Sequence, residues 1–145
     1  MLLAEDNEED VDLWSRALKN AGLPEEKLFI VRDGVEAVDY LAGTGIYEDR
    51  SAYPFPQMLL LDLSMPNLGG FEVLEWWRSA RRSEKLTVVV LSGSTMREDI
   101  DRAHKLGAAA YLSKPAHLVQ VRLLAQRALD FMQRSPRGGS LLPAA

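Results

Sequence analysis

The sequence predicts an α/β fold, a (βα)5 three-layer sandwich built on a five-stranded parallel sheet. Five short apolar runs alternate with five amphipathic stretches, the rhythm of repeated βα units rather than of a bundle or a β-sandwich. Several of the runs are continuous rather than alternating, which implies burial on both faces. A length of 145 residues suits one domain, able to bury about 70% of the surface its unfolded chain exposes. Right-handed crossovers then place helices on both faces, giving a flavodoxin-like arrangement with strand order 2-1-3-4-5.

The strand-like runs are Leu2 to Ala4, Leu28 to Val31, Met58 to Leu61, Thr87 to Leu91 and Ala109 to Leu112. Between them the helical period covers Glu8 to Ala21, Gly34 to Leu41, Gly70 to Ala80, Arg97 to Leu106 and His117 to Gln133. Gly22 and Gly107 stand where helices commonly end on a left-handed glycine. Only four residues precede Glu5, fewer than the five or six usual in a central strand, so a natural start upstream of Met1 is allowed for. Two segments break the rhythm. Gly43 to Pro56 carries two Gly, two Pro and two Tyr, and is long for such a connection, which suits either a binding loop or a tolerated insertion. The tail from Ser135 to Ala145 has no helical face, so the domain is expected over 1–134 with a flexible tail over 135–145.

Composition removes several function classes. The absence of cysteine excludes thiolate catalysis and Cys-ligated zinc, and fits a reducing cytoplasm. Two histidines are too few for a His-rich metal site. Lys plus Arg number 17 against 21 Asp plus Glu, a net charge of −4, and no basic block supplies the footprint that nucleic-acid backbones require, so no direct DNA binding is expected. The apolar runs fall far short of a bilayer span, and Met1-Leu2-Leu3 is too brief for a signal-peptide core. A cytoplasmic protein without a membrane segment is the expectation.

In parallel α/β sheets ligands bind outside the carboxyl ends of the strands. Here the residues that follow the apolar runs are Glu5 and Asp6, then Asp62, then Ser92, then Ser113 and Lys114. Any one of them alone is an ordinary helix cap or a solvated side chain. Together they put acids, a hydroxyl and an ammonium on one edge. Three close carboxylates repel unless a cation neutralises them, and oxygen donors without His or Cys favour Mg²⁺ or Mn²⁺ over zinc. An octahedral Mg²⁺ shares phosphoryl oxygens readily, so the cluster suits a phosphoryl-handling site with one Asp as nucleophile and with Lys114 and Ser92 on the remaining oxygens.

These residues are also where the sequence resembles a known family, the receiver domains of two-component response regulators. The resemblance runs from Leu2 to Met132. It rests on Ala4-Glu5-Asp6-Asn7, on Leu61-Asp62-Leu63-Ser64-Met65-Pro66-Asn67-Leu68-Gly69-Gly70, on Leu91-Ser92-Gly93 and on Lys114-Pro115. It implies that Asp62 is the phosphoacceptor, that Asp6 ligates Mg²⁺ directly and Glu5 through water, and that the Ser64 carbonyl is a third protein ligand. It further implies that Lys114 contacts the phosphoryl group, that Gly93 leaves room for it, and that the bond before Pro115 is cis. Ser92 and Tyr111 occupy the switch positions, a hydroxyl that moves onto the phosphoryl oxygen and an aromatic ring that turns inward with it. Glu5 in place of Asp, Ser92 in place of Thr and Gly69 in place of an acid depart from the commonest pattern.

The insertion followed by Gln57-Met58-Leu59 resembles the stand-alone receivers paired with bacterial phytochrome kinases. The implied function is a stand-alone response regulator that takes its phosphoryl group from a sensor histidine kinase and signals by conformational switching and protein contacts. It would catalyse only its own phosphorylation and dephosphorylation. A haloacid-dehalogenase-like phosphotransferase is the first rival, but it needs an Asp where Ser64 stands. A nucleotide-binding module lacks its phosphate loop, and a phosphorylation-independent docking module would not need the complete set of site residues. In the third helix Val73, Leu74 and Trp77 form the expected inner stripe, leaving Trp76 partly exposed. In the fifth, Leu118, Val121, Leu124, Ala125, Ala128, Leu129 and Met132 form the sheet-facing side. Val119 and Leu123 fall outside it and suggest a small kinase-docking or homodimer patch. His104 and His117 read as ordinary helix residues.

Overall fold

The computed structural model describes residues 1–114 and 118–134. In chain order the elements are β1 (Leu2–Ala4), α1 (Glu8–Ala21), β2 (Phe29–Val31), α2 (Gly34–Ala42), β3 (Met58–Asp62), α3 (Gly70–Ala80), β4 (Thr87–Ser92), α4 (Arg97–Lys105), β5 (Ala110–Ser113) and α5 (Leu118–Arg134). Short 3₁₀ turns cover Glu25–Lys27 and Gly45–Tyr47. All strand pairs are parallel and the order is β2-β1-β3-β4-β5, as the sequence predicts. Pro115, His117 and the tail over 135–145 lie outside the described residues.

Side chains that alternate along the strands divide between two cores. Leu3, Leu60, Val89 and Leu91 pack with Trp14 and Leu18 of α1 and with Val121, Leu124 and Phe131 of α5. Leu2, Ala4, Leu59, Leu61, Val88 and Val90 pack on the other face with α2, α3 and α4. A helix layer on each face is why β3 and β4 are apolar at successive positions and buried throughout. Local signals end the helices as expected. The Asn7 side chain accepts the Asp10 amide at the start of α1, and Gly22 closes that helix at φ 112°.

The strands β3, β4 and β5 each run one polar residue beyond the last apolar one, through Asp62, Ser92 and Ser113. Ladder pairing carries them, Asp62 opposite Leu91 and Ser92 opposite Ser113. In α5 the apolar stripe begins at Val121, while Leu118 is 48% exposed and Phe131 joins the core. Val119 and Leu123 are exposed as expected, at 76% and 51%. Trp76 is partly exposed as expected, while Trp77, expected on the inner stripe, is only partly buried as well. Trp76 packs against the core, whereas Trp77 stacks on Phe55 with ring centroids 5.6 Å apart.

That Phe55 belongs to the Gly43–Pro56 segment, which is folded down onto α2. Tyr47 and Tyr53 close over Tyr40, with centroids 4.9 and 6.1 Å from its ring. Arg50 donates from Nη1 to the Tyr40 carbonyl at 2.7 Å and from Nη2 to the Leu41 carbonyl at 2.8 Å. It therefore caps the C-terminal carbonyls of α2, where a cation also complements the helix dipole. Gly43 ends α2 at φ 72°, a left-handed conformation that favours glycine.

Candidate functional site

The sheet's carboxyl edge collects the chemistry. Glu5 follows β1, between β2 and β3 in the sheet, and its amide extends the ladder by donating to the Val31 carbonyl at 3.0 Å. Its carboxyl is thereby drawn below the surface and is fully buried. Asp62 ends β3 at 4% exposure and Ser92 ends β4 at 3%. Lys114, one residue past β5, is registered by its own amide, which donates to the Ser92 carbonyl at 2.6 Å. Asp6 sits just before the Asn7 cap of α1 and is exposed.

One oxygen from each of Glu5, Asp6 and Asp62 lies within 4.8 Å of the others. The Lys114 ammonium reaches into this group. It donates to Glu5 Oε1, lies 3.1 Å from Asp10 Oδ2 and lies 3.5 Å from Asp62 Oδ1. Burial first, and then the neighbouring Asp62 carboxyl, push the Glu5 carboxyl up to about 9 against the opposing Lys114 hydrogen bond. Burial works against the Lys114 charge, but its hydrogen bond to Glu5, the Asp62 charge and the Asp10 contact outweigh it and hold its pKa above the usual lysine value.

The β3–α3 loop shapes the space around Asp62. The Ser64 amide donates to Asp62 Oδ1 at 3.1 Å, which brings the Ser64 backbone beside the cluster. The Gly70 amide donates to the Leu63 carbonyl at 3.0 Å, and a Cβ on Gly70 would lie 2.5 Å from the Asp62 carbonyl oxygen. Only glycine lets α3 start this close to the strand end. Asn67, at φ 67°, donates to Asp33 Oδ2 at 2.8 Å and so ties the loop to the cap of α2.

The β4–α4 loop forms the other wall. Ser92 Oγ accepts the Ser94 amide at 3.1 Å, and Ser94 Oγ donates to Asp99 Oδ2 at 2.5 Å. The half-buried Tyr111 on β5 donates its hydroxyl to the Ser94 carbonyl at 2.8 Å. Gly93 is exposed, and no protein atom lies within 4 Å of where its Cβ would be. Every predicted site residue among those described is thus gathered at one edge, and Pro115 lies outside the described residues. Sequence reasoning missed Asp10 and Ser94. Asp10 is the third residue of α1, where an acid is expected for the helix dipole alone.

A hard divalent cation fits this donor set. Three carboxylates converge without His or Cys, and the buried Glu5 Oε2 has no hydrogen-bond partner among the described residues. Among those residues no helix is long and apolar enough to cross a membrane.

Known proteins share this fold. A response regulator Rcp1 from Synechocystis is 35% identical over 118 residues, covering 81% of this chain and 78% of its own. The phosphorylated cyanobacterial phytochrome response regulator RcpA superposes with a TM-score of 0.78 at 34% identity, covering 94% of each chain. The Mn²⁺-bound form of Rcp1 superposes at 0.76 with 30% identity, covering 97% of this chain and 96% of that one. The family model for the response regulator receiver domain matches residues 1–126, and the chain belongs to that family.

Proposed function

We propose that Asp62 accepts a phosphoryl group from a phosphohistidine of a sensor histidine kinase, in a Mg²⁺-dependent reaction for which Mn²⁺ can substitute. The observation that carries this reading is a 4%-exposed aspartate grouped with two further carboxylates and with an ammonium 3.5 Å away. The Ser64 amide and Lys114 both contact Oδ1, so Oδ2 is the attacking atom. It forms the new P–O bond as the P–N bond of the phosphoimidazole breaks, and the imidazole leaves to take a proton. Asp6, Asp62 and the Ser64 carbonyl would hold the cation, with Glu5 behind them. When bound, it neutralises the carboxylates and a phosphoryl oxygen.

Lys114 holds one phosphoryl oxygen and the Ser92 hydroxyl another. Gly93 leaves the approach open. Ser92 leaves its place by the Ser94 amide to reach the phosphoryl group, and Tyr111 responds because its hydroxyl is tied to the same loop. Moving such a switch from 1:99 to 99:1 takes about 5.5 kcal/mol of differential binding. The domain over 1–134 acts as a stand-alone cytoplasmic regulator through protein contacts, without DNA binding or catalysis beyond its own phosphorylation and dephosphorylation. The likeness to the cyanobacterial phytochrome response regulator RcpA supports a bacterial phytochrome as the kinase. The exposed Leu118, Val119 and Leu123 are the surface for docking the kinase or a second copy. Transfer of radiolabel from a cognate autophosphorylated kinase tests the central step: Asp62→Asn abolishes labelling, and undiminished labelling refutes the reading.

A further inference from the structure

We propose that Asp10 is a positioning residue that holds Lys114 away from full engagement until a phosphoryl group arrives, and so sets how tightly that group is held. This rests on the reading of Asp62 as phosphoacceptor.

An ammonium has three protons to donate and no capacity to accept. Lys114 donates to Glu5 and Asp10 and lies 3.5 Å from Asp62 Oδ1, so two of its donors are taken and the ammonium is held short of a hydrogen bond to Asp62. Drawing the ammonium fully onto a phosphoryl oxygen carried by Asp62 means lengthening one of the two hydrogen bonds that hold it back. Glu5 is the worst candidate, since its side chain has no exposure and its other oxygen already has no hydrogen-bond partner among the described residues. Asp62 carries the phosphoryl group itself. Asp10 is the one partner that water can serve in place of Lys114, with 32% of its side chain exposed.

Its placement is also independent of Lys114. The Asp10 amide is held by the Asn7 cap at 3.1 Å, so the helix start fixes where the carboxylate stands. Removing that carboxylate frees one ammonium donor in the resting state without disturbing the cap. The cost of releasing a part-exposed charge contact is modest, which sets the expected effect at roughly five-fold in affinity.

The experiment is calorimetric titration of beryllofluoride, a phosphoryl mimic, into the Mg²⁺-loaded protein. Asp10→Asn should bind it roughly five-fold more tightly than the wild type. Asp10→Glu, which restores the carboxylate, should return the affinity toward the wild-type value. In a Lys114→Ala background the Asp10→Asn change should have no effect, because Asp10 acts through Lys114. Unchanged or weakened binding by Asp10→Asn overturns the proposal. So does an equal gain in the Lys114→Ala background, which would mean that charge repulsion acts directly on the phosphoryl mimic. If the wild type binds no beryllofluoride, or if Asp62→Asn still binds it, the phosphoacceptor reading fails and this proposal falls with it. Circular dichroism of each variant confirms that α1 is intact.

Discussion

Two part-buried cations of this domain, Arg50 and Lys114, are held differently. Arg50, in the Gly43–Pro56 segment, is fixed by backbone carbonyls of Tyr40, Leu41 and Tyr53 and lies over the rings of Tyr40 and Phe55 at 5.9 and 5.6 Å. None of those partners is a carboxylate or can leave. Lys114 is fixed by three carboxylates that can be protonated, coordinated or phosphorylated. The planar guanidinium suits the first task and the compact ammonium the second. Exchangeable partners suit the phosphoryl-contacting role proposed for Lys114, and inert partners suit a cation that holds a loop.

Truncating each cation separates the two roles. The largest effect is expected for Lys114→Ala, which should weaken beryllofluoride binding by about 100-fold, the scale of losing one partner of a close charge pair. Its urea stability should change little, because the carboxyl of Glu5, already pushed up to about 9, takes a proton instead of standing as a lone charge. Arg50→Ala should do the reverse. It costs about 2 kcal/mol of stability through the uncapped carbonyls and lost ring contacts, while beryllofluoride affinity stays within a factor of about two. A large loss of affinity in Arg50→Ala would erase the distinction between the two cations.

How much of this was legible beforehand differs between the two regions. The acidic edge was readable because strand ends are marked locally: an apolar run stops, and Glu5, Asp62, Ser92 or Lys114 follows. The ends of β3, β4 and β5 were placed one residue short, since only pairing with a neighbouring strand keeps Asp62, Ser92 and Ser113 in the ladder. Asp10 was invisible as a partner of Lys114 because 104 residues separate them and an acid in the first turn of a helix already has a local explanation. The Gly43–Pro56 segment was the least legible. Its Gly and Pro marked it as irregular, yet what holds it is long-range, Arg50 on the end of α2 and Phe55 on Trp77. That same stacking explains Trp77. Adjacent helix positions differ by about 100°, and no local pattern could say which tryptophan the core would take and which a loop would cover.

The carboxylate partners of Lys114 also make the site sensitive to pH in a way the Arg50 clamp is not. Glu5 in the folded, metal-free protein sits at about 9, above its ordinary 4.5. A raised carboxyl stabilises the fold fully below its ordinary value, and that stability drains away as pH rises through the folded value. The slope cannot exceed about 1.4 kcal/mol per pH unit for one proton. A divalent cation competes with the same proton, so its binding releases acid and strengthens as pH rises. The thermal stabilisation by 5 mM Mg²⁺, roughly a saturating level for such a site, should therefore be larger at pH 8.5 than at 6.5, by about 1 kcal/mol. Equal shifts at both values would mean that Glu5 is already ionised without metal.

The smallest effect expected is for Tyr111→Phe, which removes one hydroxyl from the wall opposite these carboxylates. Its bond to the Ser94 carbonyl, at 2.8 Å, links β5 to the loop that holds Ser92, and neither partner is charged. Losing a single neutral hydrogen bond on a half-buried ring costs about 1 kcal/mol or less. The change in global stability is correspondingly slight. Loosening should be local, because Ser94 also receives the Met96 amide and donates to Asp99, and those contacts begin α4. Hydrogen exchange of the Ser94 and Met96 amides should accelerate several-fold in Tyr111→Phe while the amides of β3 keep their protection. Uniform acceleration across the sheet would place Tyr111 in the core rather than on the loop, and a silent loop would leave the Ser92 wall anchored by Asp99 alone.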